Sequence, residues 1–237
     1  MKCNQDPKKV AGFFVMIGMI VFSIAFYSAV TRYRSFERVV SVKGLCEKEV
    51  KADKVIWPIV FKVVGNNIGL LSDELNQKNK EILRLLKDSG IEDAEISVNA
   101  PIVLDAYAEI YSQNEVKNRY NITSVITVST SKVDMVREII SNQGQLIKKG
   151  IAITADDYRF RTEYSYTGLN ALKPQMIEEA TQNAREVADK FAKDSKSKLG
   201  KIKQASQGQF SISDRDANTP HIKNVRVVSS LVYYLKD

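Results

Sequence analysis

The residues able to do chemistry in this chain are few and scattered. His221 is the sole histidine and sits beside Pro220 in a polar stretch; Cys3 and Cys46 are the two cysteines. An imidazole base needs a nucleophile or converging metal ligands within reach. A serine or Cys46 would have to supply that nucleophile, and neither stands in a motif, so His221 reads as a surface residue. No G-x-S-x-G, phosphate-loop or dinucleotide glycine pattern occurs. Glu178-Glu179 and Asp156-Asp157 are adjacent in sequence, so on a helix or strand their carboxylates diverge rather than pair for acid–base work. Two cysteines make neither a disulfide framework nor a tetrahedral zinc site. The expectation is a chain that is not an enzyme, with no catalytic residue, no cofactor and no metal ligand.

Charge adds little to this list. The net charge is +7 and the pI about 9.2, which permits attraction to anionic partners without requiring it. The densest basic run is Lys193, Lys196, Lys198, Lys201 and Lys203, interleaved with Asp189 and Asp194 and accompanied by Phe191 as its one aromatic. That pattern reads as a solvated helix face rather than a nucleic-acid stripe, so no nucleic-acid partner is expected.

What positions these groups begins with Val10 to Val30, twenty-one residues without a charge. As a helix the stretch spans roughly 31 Å against a hydrocarbon core of about 30 Å. Its eleven Phe, Ile and Val side chains favour insertion by roughly 3–6 kcal/mol together. A helix also satisfies its own backbone in lipid. The expected organisation is a tail over 1–9, a transmembrane signal-anchor over 10–31 and one domain over 36–237. Lys2, Lys8 and Lys9 before the span balance Arg32, Arg34 and Arg38 after it, so charge leaves the orientation undecided. A cleaved signal peptide is the alternative, with Ser23-Ile24-Ala25 as its best cleavage match. The membrane would separate Cys3 from Cys46, leaving Cys46 as a buried thiol or an intersubunit crosslink.

Beyond the span, Val39 to Val50 reads as a strand with a bulge or close approach at Gly44. Val55 to Val64 reads as a strand buried on both faces, with Pro58 demanding an edge position or a bulge. Leu75, Ile82, Leu83 and Leu86 share a helix face between a Ser72 cap and Gly90. Ile96 to Ala106 is a strand broken by Pro101, joined to Tyr120–Thr130 by a long hairpin. A second helix, capped by Ser131, turns Val133, Val136, Ile140 and Ile147 inward and ends at Gly150.

Tyr158 to Tyr166 alternates, with Tyr158, Phe160, Thr162, Tyr164 and Tyr166 on one face. Such a row suits packing under a helix, or a platform for a small ligand. A third helix has Pro174 near its first turn and Ala180, Ala184, Ala188 and Ala192 every fourth residue beside Ile177, Val187 and Phe191, ending near Gly200. The polar segment 206–224 leads to a last strand, 225–235. Strands and single helices in this order predict an α+β fold: an antiparallel or mixed sheet with three helices on it, after one N-terminal transmembrane helix.

Three stretches resemble the SIMPL-domain family, which includes periplasmic and envelope immunogenic proteins of bacteria. They are VSVKGLCEKEVKADKV with its Ala52-Asp53 step, LKDSGIEDAEISVNAPIVLDAY with RYNITSVITVSTSKVDMVREII, and LKPQMIEEATQNAREVADKFAKDSKSKLGKIKQASQGQF. The likeness covers essentially all of Val39 to Leu235. Cys46 departs from it, standing where many members carry a second glycine. The resemblance implies a domain outside the cytoplasmic membrane, often self-associating, sometimes into rings, and linked to envelope integrity or oxidative-stress tolerance. It carries no active site.

The functional expectation is a non-enzymatic, membrane-anchored envelope protein, single-pass in the bacterial inner membrane and facing the periplasm. It would associate with itself as a homo-oligomer. The alternative is a periplasmic domain that binds a small ligand or an envelope polymer through the tyrosine face.

Overall fold

A computed structural model describes residues 7–35, 38–108, 117–154 and 158–236. The expected N-terminal tail to residue 6, Cys3 within it, and the Asp156-Asp157 pair lie outside the described residues. The elements fall into two compact units, one of Met1–Glu47, Leu172–Ser211 and Arg226–Asp237, the other of Lys48–Ala171 and Ile212–Val225.

The first element, α1, spans Pro7–Ser35. Its segment Gly12–Thr31 is long and apolar enough to cross a membrane, with a mean hydropathy of 2.3 and none of it buried in the protein. Ser23 and Thr31 donate their hydroxyls to the carbonyls of Met19 and Tyr27, one turn back, so these polar groups are satisfied inside the helix.

The remaining elements are strands β1 (Val39–Lys51) and β2 (Lys54–Gly65), helix α2 (Ile68–Asp88), strands β3 (Ile96–Val98), β4 (Ile102–Asp105) and β5 (Tyr120–Thr130), helices α3 (Val133–Ser141) and α4 (Gly144–Lys148), strand β6 (Glu163–Ser165), helix α5 (Leu169–Asp194), and strands β7 (Lys198–Gln207), β8 (Ser211–Asp214) and β9 (Ile222–Lys236). The class is α+β with antiparallel sheets, as expected. Two sheets form rather than one: β1-β9-β7 with β8 paired to β9, and β3-β5-β2-β6 with β4 paired to β5.

In the first unit the core gathers Val42, Ala184, Ala188, Leu231 and Tyr233. The alanine row is its organising feature, with Ala180, Ala184, Ala188 and Ala192 all buried along one line of α5. Small side chains let the β1 backbone approach this helix. Met176 joins the row on the buried side, whereas Val187 and Phe191 beside it are 37% and 55% exposed. Pro174 is the sixth residue of α5, just past its first turn.

The helix also stops earlier than expected, at Asp194. Ser197 N–H bonds the Ala192 carbonyl (2.8 Å) and Lys196 N–H bonds that of Lys193 (2.9 Å), a Schellman closure. Residues 198–207, read as helix end and polar segment, form β7 instead. Pairing with β9 from Lys198–Lys236 to Gln207–Ser229 stabilises a strand that no alternation announces.

In the second unit the core joins Val55, Trp57, Ile59, Phe61 and Val63 of β2 to Leu71, Leu75, Ile82 and Leu86 of α2, Ile122, Ile126 and Val128 of β5, and Val133, Val136 and Ile139 of α3. β2 pairs with β5 along its whole length, from Val55–Thr130 to Gly65–Tyr120. One face of β2 is fully buried; on the other, Ile56 and Pro58 are half-covered and Lys62 and Val64 exposed, so the strand is not buried on both faces throughout. Pro58 falls between the Lys54–Ile56 pairing to β6 and the Phe61–Ile153 bridge, a local edge. Pro101 separates β3 from β4, and both pair with β5.

Three local expectations give way to the structure. α2 starts at Asn67, whose Oδ1 accepts from Gly69 and Leu70 N–H; Ser72 lies inside the helix. The second helix divides at Asn142-Gln143, which shifts its phase: Leu146 is buried and Ile147 is 66% exposed. Its start is held by Thr130 Oγ1, which accepts from Lys132 N–H, and not by Ser131. Finally, Tyr158–Phe160 form a 3-10 turn, and only Glu163–Ser165 of the expected strand find a partner in β2. Alternation alone does not make a strand where no neighbouring edge is open.

Candidate functional site

His221 is the chemical residue that the fold sets among others. It lies at the rim of an open cleft of about 540 Å³ in the second unit, lined by Asp134, Arg137 and Ile140 of α3, Tyr164 of β6, and Asn218 and Pro220. The Tyr164 and His221 rings meet edge-on, 6.1 Å apart at 67°. The His221 carbonyl accepts from Ala52 N–H (2.9 Å), which pins the backbone there. Partial burial pulls the imidazole below its ordinary pKa, helped by the charges of Arg137 and Arg215 and opposed by Asp134 and Asp216. At neutral pH the ring is therefore uncharged. Burial raises the Tyr164 phenol.

The loop before His221 is held by Asp216. Its carboxylate accepts from the Thr219 hydroxyl, from Arg215 Nε (3.1 Å), and from Asn218 and Thr219 N–H (2.8 Å each). These bonds, that of Thr219 foremost, hold it at a pKa of about 2. Arg215 also reaches Glu49 at 3.5 Å. The guanidinium on the opposite wall, Arg137, pairs with Asp134 at 3.3 Å. Ser141, the hydroxyl of the cleft, donates to the Glu138 carbonyl (2.7 Å) and is thereby turned along its own helix. The arrangement brings together an imidazole, a phenol and a guanidinium, groups able to donate to or accept from a ligand, and among the described residues of the cleft no nucleophile is placed against a base.

The other residues singled out by type disperse. Cys46 is buried at 2% exposure and, among the described residues, forms no disulfide. Glu178 and Glu179 are both exposed on α5. Lys193 to Lys203 do not share a helix face, because α5 ends among them, although each is exposed. Among the described residues no three His, Cys, Asp or Glu side chains gather as metal ligands. Asp53 acts structurally. Its carboxylate accepts from Thr167 N–H (2.7 Å), the Thr167 hydroxyl (3.1 Å) and Gly168 N–H (2.9 Å), tying down the chain that enters α5.

Sequence spacing offered no route to the cleft. Arg137, Tyr164 and His221 come from α3, β6 and the loop before β9, and β-pairing brings them together. The tyrosine row carried the one usable signal, at Tyr164. That side chain packs against the core of the second unit, and its ring also meets His221.

An α+β chain of antiparallel sheets, led by a bare apolar helix and built around an alanine-faced helix, is the class that these features define. By its match to the family model described as SIMPL, protein of unknown function (DUF541), over residues 40–228, the chain belongs to that family. Comparison with curated proteins found none that matches.

Proposed function

We propose that the chain is a non-enzymatic, membrane-anchored envelope protein of the SIMPL family, held by α1 in the bacterial inner membrane with its folded part in the periplasm, where it self-associates and supports envelope integrity or stress tolerance. One observation carries the reading: Gly12–Thr31 has the length and hydropathy of a membrane span, and among the described residues nothing covers it. Soluble burial of such a helix would hide it; lipid does so here. The hydroxyls of Ser23 and Thr31, bonded back into the helix, suit that surrounding.

Self-association is supported by the outer side of α5, where Val187 and Phe191 face solvent, and by the free edge of β7. A tether raises local concentration, so weak contacts of this kind suffice. A reporter active only outside the cytoplasm, joined after Asp237, tests the placement. Activity is the expected result, and a silent reporter refutes it. Light scattering on the full chain in detergent tests assembly; a strict monomer at high concentration counts against it.

A second reading, a small-ligand or envelope-polymer site, is favoured by the cleft between Tyr164, His221 and Arg137. Its test is a ligand whose binding is lost in Arg137→Ala while the fold is kept.

A further inference from the structure

We propose that the end of the first unit's sheet nearest the anchor is a collar that binds the anionic headgroups of the membrane in which α1 sits. The inference rests on the anchored reading above. Three chain segments bring cations to this place. Arg38 begins the segment after α1, and its carbonyl accepts from Leu235 N–H at 2.8 Å. Its Nη2 donates to Ser197 Oγ at 2.9 Å, the residue that Lys196 and Lys198 flank in the chain. Lys198 stands opposite Lys236 in the β7–β9 pair. All four cations are exposed. Only two residues separate Ser35, the last of α1, from Arg38, so the chain holds Arg38 within about 11 Å of that helix end.

Two local rules are broken at this one place. Lys196 has φ of 56°, the one positive φ at a non-glycine among the described residues. It occupies the left-handed position of the Schellman closure, which glycine fills at less strain. Lys198 and Lys236 are like charges directly across an antiparallel pair, which is repulsive. Neither feature helps the fold, and an anionic surface against them would offset both. Asp194 is the single acidic residue within 193–203 and 231–236; Glu37, directly before Arg38, and Asp237 lie outside the described residues. Among the described residues no ion pair engages Lys196, Lys198 or Lys236. Breaches of local preference that coincide in space mark functional ground.

The test uses the full chain in lipid nanodiscs of phosphatidylcholine alone, or with a third of the lipid as phosphatidylglycerol. Amide hydrogen exchange is read over residues 194–203 and 232–236. Exchange should slow severalfold in the anionic discs, and the difference should vanish in about 1 M salt, where the screening length is about 3 Å. Each cation removed should weaken headgroup binding about fivefold. The triple variant Lys196→Gly, Lys198→Gln, Lys236→Gln should therefore exchange alike in both discs. Lys196→Gly alone should unfold at the same or a higher temperature while losing part of the protection; a lower midpoint would make Lys196 a structural residue and overturn its role. Equal exchange in both compositions, from discs that retain the chain, overturns the collar alone. A chain that does not stay with the discs overturns the anchor, and the collar with it.

Discussion

Gly44 and Ala180 stand closer than any side chain at position 44 would allow. A Cβ on Gly44 would lie 1.8 Å from the Ala180 carbonyl oxygen and 2.5 Å from Ala184 N. The obstacle is helix backbone, which cannot rotate away as a side chain would. Gly44→Ala should therefore lose at least about 3 kcal/mol, the upper end of overpacking costs. Gly144→Ala is the control: nothing lies within 4 Å of that position, and the change should gain about 0.5 kcal/mol. Denaturant unfolding of the two variants checks the pair.

Helix α2 begins on an asparagine. Asn67 Oδ1 accepts from Gly69 N–H at 3.0 Å and from Leu70 N–H at 3.3 Å. Asn67→Ala should cost about 1 kcal/mol. Ser72→Ala, at an exposed position inside the helix, should stay within about 0.5 kcal/mol of the parent. Urea midpoints of the two variants, measured side by side, decide which residue is the cap.

Glu95 should make stability depend on acid pH. Its carboxylate receives the Glu92 N–H, the Thr130 hydroxyl and Lys132 Nζ, and its pKa falls from 4.5 to about 2. A folded pKa below the unfolded one means that protons bind the unfolded chain more tightly. The stabilisation is thus complete above about pH 4.5 and disappears as pH falls toward about 2. Glu95→Gln should remove it at neutral pH and flatten the unfolding midpoint across that range. A variant that keeps the parent's slope would contradict the assignment.

Cys46 should behave as a buried thiol. In a Cys3→Ser background, a thiol reagent should label the native protein slowly and the urea-unfolded protein at once. Non-reducing electrophoresis of the same protein should show no crosslinked dimer.

Tyr164 should matter to the fold before it matters to any ligand. It packs on the core of the second unit and meets His221 edge-on. Tyr164→Ser should cost about 2 kcal/mol of buried apolar surface, and Tyr164→Phe should keep the stability. Thermal unfolding of both separates packing from the hydroxyl.

Local chemistry along the chain was enough to dictate the apolar rod, the edge position at Pro58, the strand break at Pro101, the helix stop at Gly90, the alanine row and the close approach at Gly44. Each depends on near neighbours in the chain or on one residue's steric range. The rest was settled only by the assembled fold. β7 is a strand because β9 offers an open edge, and residues 158–162 are not one because the side of β2 they would need is taken by 163–165 and by the bridge to Ile153. The second helix changes phase where its backbone breaks at Asn142. The His221 cleft and the Arg38, Lys196, Lys198 and Lys236 cluster likewise join segments far apart in the chain. No periodicity encodes such meetings, because they arise from which strand edges remain free once the others have paired.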